Sequence, residues 1–144
     1  MGTVRTSLSI SSGDVLSSPI SIAVENLISV DSGNLMRAKV SATAIGTTAL
    51  TVYNQNQYND RAYLYIKNLE ETLEDYVYVY NDEDASASAV KELVGKIGGG
   101  EFAFLPLDAS ISYAVYATKA NSMIEFGTFG NDNPSVNLTV PPQA

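Results

Sequence analysis

Ile97-Gly98-Gly99-Gly100-Glu101-Phe102-Ala103-Phe104-Leu105-Pro106-Leu107, followed by Ile111 to Thr118 and then Ile124-Glu125-Phe126-Gly127, decides the fold class. It reads as three short strands separated by glycine and proline turns. Phe102 and Phe104, then Ile111, Tyr113 and Val115, then Ile124 and Phe126 recur at every second residue. That period places side chains on one face of a strand. The same period runs outward in both directions. Upstream it marks Leu8 and Ile10; Ile20, Ile22 and Val24; Met36, Ala38, Val40 and Ala42; then Leu50 and Val52. Ala62, Leu64 and Ile66 oppose Tyr63, Tyr65 and Lys67, and Val77 and Val79 oppose Tyr76, Tyr78 and Tyr80. Downstream, Val136, Leu138 and Val140 close the pattern.

Turn signals at Ser12-Gly13-Asp14, Asp31-Ser32-Gly33-Asn34, Gly98-Gly99-Gly100 and Gly130-Asn131-Asp132-Asn133-Pro134 break these runs. About eight to ten short, evenly spaced strands predict an all-β fold, an antiparallel β-sandwich of jelly-roll or Ig-like type. A chain of 144 residues predicts one domain over residues 1–144. Residues 1–12 and 141–144 are candidate extended arms, the second because Pro141 and Pro142 lack ladder donors. One segment leaves two readings open. Val90, Leu93, Val94 and Ile97 fit a short amphipathic helix over 86–97, capped by Ser86 or Ser88. A strand over 92–97 that pairs with the Glu101 strand is the favoured reading.

Composition narrows the function. The 16 acids against 8 bases give a net charge of −8, so a phosphate backbone is repelled and nucleic acid is not an expected partner. No apolar run approaches the length that crosses a bilayer, so no membrane is expected. Residues 1–7 carry one base and no apolar run after it, which argues against a secretory signal. Cysteine is absent, which fits a reducing compartment. With no His and no Cys, the usual neutral-pH acid–base and nucleophilic groups are missing, and no catalytic residue and no enzyme activity are expected. Zinc and iron lack their imidazole and thiolate ligands. Asn81-Asp82-Glu83-Asp84 and Asn131-Asp132-Asn133 are weak calcium candidates without EF-hand spacing; the expectation is no metal and no cofactor. Gly98-Gly99-Gly100 lacks the Lys-Ser/Thr of a phosphate loop and reads as a tight strand connection.

The tyrosines are the sharpest surface feature. If Asn68 to Asp75 closes a hairpin, then Tyr63, Tyr65, Tyr76, Tyr78 and Tyr80 form one cross-strand aromatic patch. Either that patch faces the core, or Leu64, Ile66, Val77 and Val79 do and the tyrosines face out. The outward reading is favoured and makes the five tyrosines a protein-interface candidate.

Tyr63-Leu64-Tyr65-Ile66-Lys67-Asn68, Gly100-Glu101-Phe102-Ala103-Phe104-Leu105-Pro106-Leu107 and Ile124-Glu125-Phe126-Gly127, in this order, resemble a set of small virion structural proteins of tailed bacteriophages, notably of aquatic bacteria. The likeness covers roughly the C-terminal half. It implies a capsid decoration or cement protein that joins major capsid protein subunits, without cofactor. Its partners would be the major capsid protein or another virion protein, and copies of itself, with a trimer favoured. Its place would be the capsid surface of the virion, after assembly in the host cytoplasm. Two alternatives remain: a tail, neck or fibre-base component, and a carbohydrate-binding module that stacks sugars on exposed tyrosines.

Overall fold

The period-2 pattern resolves into ten strands in a computed structural model that describes residues 2–45, 49–82 and 92–132. The chain divides into two compact units, Met1–Asp31 and Ser32–Ala144. Both four-stranded sheets lie in the second unit.

The first unit is a hairpin of β1 (Gly2–Ser12) and β2 (Ile20–Val30). The two strands pair antiparallel without a bulge, from Gly2↔Val30 to Ser12↔Ile20. The ladder with β2 engages Gly2–Ser12 throughout. The Ser12 hydroxyl starts the connection by accepting from the backbone N–H of Asp14 and Val15, at 3.4 and 3.2 Å.

The second unit holds β3 (Ser32–Val40), β4 (Leu50–Tyr53), β5 (Tyr58–Asn68), β6 (Val77–Asn81), β7 (Leu93–Ile97), β8 (Phe102–Leu107), β9 (Tyr113–Ala117) and β10 (Ser122–Asp132). They form two four-stranded sheets, ordered β3-β10-β5-β8 and β4-β9-β6-β7. The antiparallel pairs β6·β7, β5·β8, β4·β9 and β3·β10 are nested one outside the next. The eight strands therefore behave as one long hairpin rolled into two layers. That is the strand order of a jelly roll, not of an Ig-like sandwich.

The inner faces follow from alternation. Val40, Leu64, Ile66 and Ile124 of one sheet meet Val77, Val79 and Val115 of the other, all with no exposed surface. Burying each such side chain contributes about 1.5–3 kcal/mol. Three tyrosines join this core. Tyr53 lies 5.9 Å from Tyr58 and 6.2 Å from Tyr113 between ring centroids. Their hydroxyls are satisfied inside: Tyr53 donates to the Ala109 carbonyl at 2.8 Å, and Tyr113 accepts from the Asp108 N–H at 3.2 Å. Burial pushes the Tyr53 hydroxyl pKa up.

Other expectations shift. Residues 93–97 are strand, so no helix occupies that part of 86–97, while 83–91 lie outside the described residues. The strand pairs with β6 and not with the Glu101 strand, which pairs with β5. Phe102 and Phe104 point away from the core, because Ala103 and Leu107 take the inward register. The expected strand around Val136 to Val140 and the tail 141–144 lie outside the described residues.

Candidate functional site

The two tyrosine-bearing strands do not form a hairpin. β5 lies in one sheet and β6 in the other, so the residues from Leu69 to Tyr76 carry the chain between layers. The five expected interface tyrosines therefore divide between two outer faces. The outward reading of their strands holds, since Leu64, Ile66, Val77 and Val79 fill the core. The single patch does not.

On the outer face of β3-β10-β5-β8, the Tyr63 ring stacks on Phe104 with centroids 5.7 Å apart and planes 17° from parallel. Cross-strand pairing of Tyr65 with Phe104 and of Tyr63 with Pro106 sets this up. Tyr65 donates its hydroxyl to Glu125 at 2.9 Å, and Arg37 reaches the same carboxylate at 3.2 Å. The Tyr65 hydrogen bond, then that of Arg37, holds the Glu125 carboxyl below its usual range. Burial, then the hydrogen bond to Glu125, raises the Tyr65 hydroxyl. Phe102 is 63% exposed and Leu35 62% exposed on this face. Phe102 and Phe104 escaped the sequence reading as surface residues because an alternating strand has two phases, and aromatic content alone favours the wrong one.

The outer face of β4-β9-β6-β7 carries a second aromatic group. Tyr78 stacks on Tyr116 with centroids 4.9 Å apart and planes 14° from parallel, as their cross-strand pairing dictates. Tyr76 and Tyr80 extend the row at 6.3 and 5.9 Å. The Lys96 ammonium sits 4.1 Å from the Tyr76 centroid, a cation–π contact. Tyr80 is buried in this row. Tyr116, which the sequence reading passed over, stands in the same row.

Two acids of the β5–β6 connection, Glu70 and Asp75, have structural partners. Glu70 accepts from the Met123 N–H at 2.9 Å and from Lys119 at 3.0 Å. Those two bonds, the backbone one first, hold its carboxyl below the usual range. Asp75 lies 3.7 Å from the same ammonium. Fully buried Asn68 donates to the carbonyls of Asp75 and Ile97, at 2.6 and 3.0 Å, and accepts from the Glu70 N–H at 3.0 Å. It ties the β5–β6 connection and the end of β7 to the end of β5. The glycine run is the expected strand connection: Gly100 has φ +83°, and a Cβ on Gly99 would collide with the Thr72 carbonyl.

Among the described residues no group of three or more His, Cys, Asp or Glu is placed to hold a metal. The Asn81 side chain accepts from the Glu92 N–H at 3.0 Å; Glu83, Asp84 and Asn133 of the calcium candidates lie outside the described residues. A hollow of about 450 Å³ is lined by Asn34, Asn54, Gln55 and Gln57 with Met36 and Phe126. Gln57 is partly engaged there, accepting from the Asn54 N–H at 3.3 Å. Comparison with protein-family models, curated proteins and solved structures finds no match to this chain.

Proposed function

We propose that this chain is a non-enzymatic structural protein of a bacteriophage virion that binds other shell proteins through the outside of its sheets. The jelly-roll strand order carries this reading, because that architecture recurs among viral capsid proteins. The step from fold to role is analogy. It is joined by the resemblance of Tyr63–Asn68, Gly100–Leu107 and Ile124–Gly127 to tailed-phage virion proteins. The exposed Phe102 and Leu35 beside Tyr63, Tyr65 and Phe104 supply a contact surface of the aromatic kind that interfaces favour. Within the virion, a decoration or cement role between major capsid subunits is the specific proposal.

Particles stripped of this protein test it. Adding the chain back restores it to the shell and raises the temperature at which the shells rupture, and Phe102→Ser weakens that rebinding at least tenfold. Shells that neither bind the chain nor gain heat resistance contradict the reading.

A second reading, a carbohydrate-binding module, is favoured by the hollow of Asn34, Asn54, Gln55 and Gln57 over Met36 and Phe126. Carboxamides and the Asp132 carboxylate over an apolar floor suit sugar hydroxyls. Silence on a glycan array removes it.

A further inference from the structure

The two sheets of the second unit part at their edge strands β3 and β4, both of which line the hollow of about 450 Å³. That size is common among ligand sites. The floor shows that this mouth is uncovered. Met36 pairs with Phe126, which is only 4% exposed, so Met36 belongs to the inner face, yet it is 46% exposed. One wall is fixed from within. Buried Thr128 donates its backbone N–H and its hydroxyl to the Asn34 side-chain oxygen, at 3.1 and 3.2 Å. Gln57 donates to the Thr128 hydroxyl at 3.4 Å and accepts from the Asn54 N–H at 3.3 Å. The acceptors left over belong to Asn54, Gln55 and Asp132: no hydrogen bond or ion pair engages their side chains among the described residues.

We propose that this mouth takes an arginine side chain of a partner protein, with its stem over Met36 and Phe126 and its guanidinium on the Asp132 carboxylate and the side-chain oxygens of Asn54 and Gln55. Charge selects the occupant. Asp132 is the sole charged residue lining the hollow among the described residues, and no Lys or Arg joins it there. The chain carries −8 overall, and a cleft in an acidic protein concentrates cations. Covering a carboxylate with an uncharged group costs free energy that a cation restores. A sugar ring meets the same acceptors but leaves that charge without compensation. Arginine suits the site better than lysine does. Its planar fork of N–H donors serves a carboxylate and two carboxamide oxygens at once, and its head is more weakly hydrated than an ammonium. Its stem packs along apolar surface, here on a methionine, whose flexible side chain adapts to what it meets.

The hollow lies between the sheets and not on their outer faces, so the outcome does not bear on the virion reading and competes only with the sugar reading of the same hollow. N-acetyl-arginine amide is titrated into the full chain and followed by NMR at the side-chain amides of Asn34, Asn54, Gln55 and Gln57 and at the Asp132 N–H. N-acetyl-citrulline amide, of the same shape without the charge, and methyl glucoside are the comparisons. The expected result is a saturable shift confined to these signals, with a dissociation constant of about 1–10 mM for a ligand of this size. The citrulline probe binds about two to five times more weakly, as the loss of one exposed ion pair requires. Asp132→Asn, with unchanged thermal unfolding, brings the arginine probe down to the same level, and so does about 0.5 M salt in the parent chain. No shift up to about 50 mM, equal binding of the arginine and citrulline probes, or arginine binding that ignores both Asp132→Asn and salt overturns the proposal. Tighter binding of methyl glucoside than of the arginine probe also overturns it and returns the hollow to the sugar reading.

Discussion

Asn68 concentrates the largest single-residue effect expected in this molecule. Its amide holds the Asp75 and Ile97 carbonyls, and its carbonyl holds the Glu70 N–H. Replacing it by Ala strands these buried groups, and Asn68→Ala is predicted to cost about 2–4 kcal/mol in urea unfolding. Nearby, Glu70 works as an ionised acceptor. Its folded pKa lies below its unfolded one, as do those of Glu125 and Asp108. Their stabilisation is therefore complete above the unfolded carboxylate range and lost as pH falls through the folded values. The urea midpoint is predicted to drop between about pH 5 and pH 3, and Glu70→Gln to flatten part of that drop. Lys119 has the opposite sign: Glu70 raises its pKa, so its contribution is complete below the usual lysine range and lost as pH rises through the folded value. The roles of Asn68 and Glu70 were not legible in the sequence, where Asn68 looks like the first residue of a turn and Glu70 like a solvated acid. Only the return of residues 97 and 119–123 to the same place gives these side chains their partners.

At the scale of elements, the sequence is a good guide to where strands run and a poor guide to what they face. Alternation at Leu64 and Ile66, or Val77 and Val79, marks both the strand and its inward side, because aliphatic and tyrosine positions differ in kind. Along Phe102 to Leu107 every position is apolar, so period 2 fits both phases. The inward one is set by packing of Ala103 and Leu107 against the opposite sheet. Pairing was less legible still. Eight residues between two tyrosine strands look like a hairpin loop, yet they cross from layer to layer. Tyr53 and Tyr58 are core residues that an amphipathic side chain does not announce, whereas Tyr113 lies in the phase that alternation marked with Ile111 and Val115. The tyrosines on β6 and β9 are predicted to stabilise the fold as well as to decorate it. A double-mutant cycle with Tyr78→Ala and Tyr116→Ala should give a coupling of about 0.5–1.5 kcal/mol, the range for stacked aromatic pairs. Additive losses would mean that the ring contact contributes nothing.

The whole molecule is governed by nested, long-range pairing. The sheet that joins β3 to β10 aligns Val40 with Ser122 and Ser32 with Gly130, so most of the chain must be gathered before its outer pair can close. Such topologies fold slowly, and refolding followed by tyrosine fluorescence is predicted in the millisecond-to-second range. Microsecond refolding would mean that the nested pairs are not what limits closure. The all-β sandwich was legible as a class because period-2 alternation runs through nearly every segment, 86–97 being the one stretch that also fitted a helix. Its jelly-roll order was not, because strand spacing is the same in an Ig-like sandwich.

The same architecture frames the functional account, in which the working parts are outer faces rather than a cleft, and their use is multiplied by symmetry. The most direct test of the proposed virion role is to count this chain in purified tailed-phage particles whose genome carries its gene, by quantitative mass spectrometry against the major capsid protein. A decoration role predicts hundreds of copies per particle, in a fixed ratio to the capsid subunit. Particles that contain none of it would contradict the account.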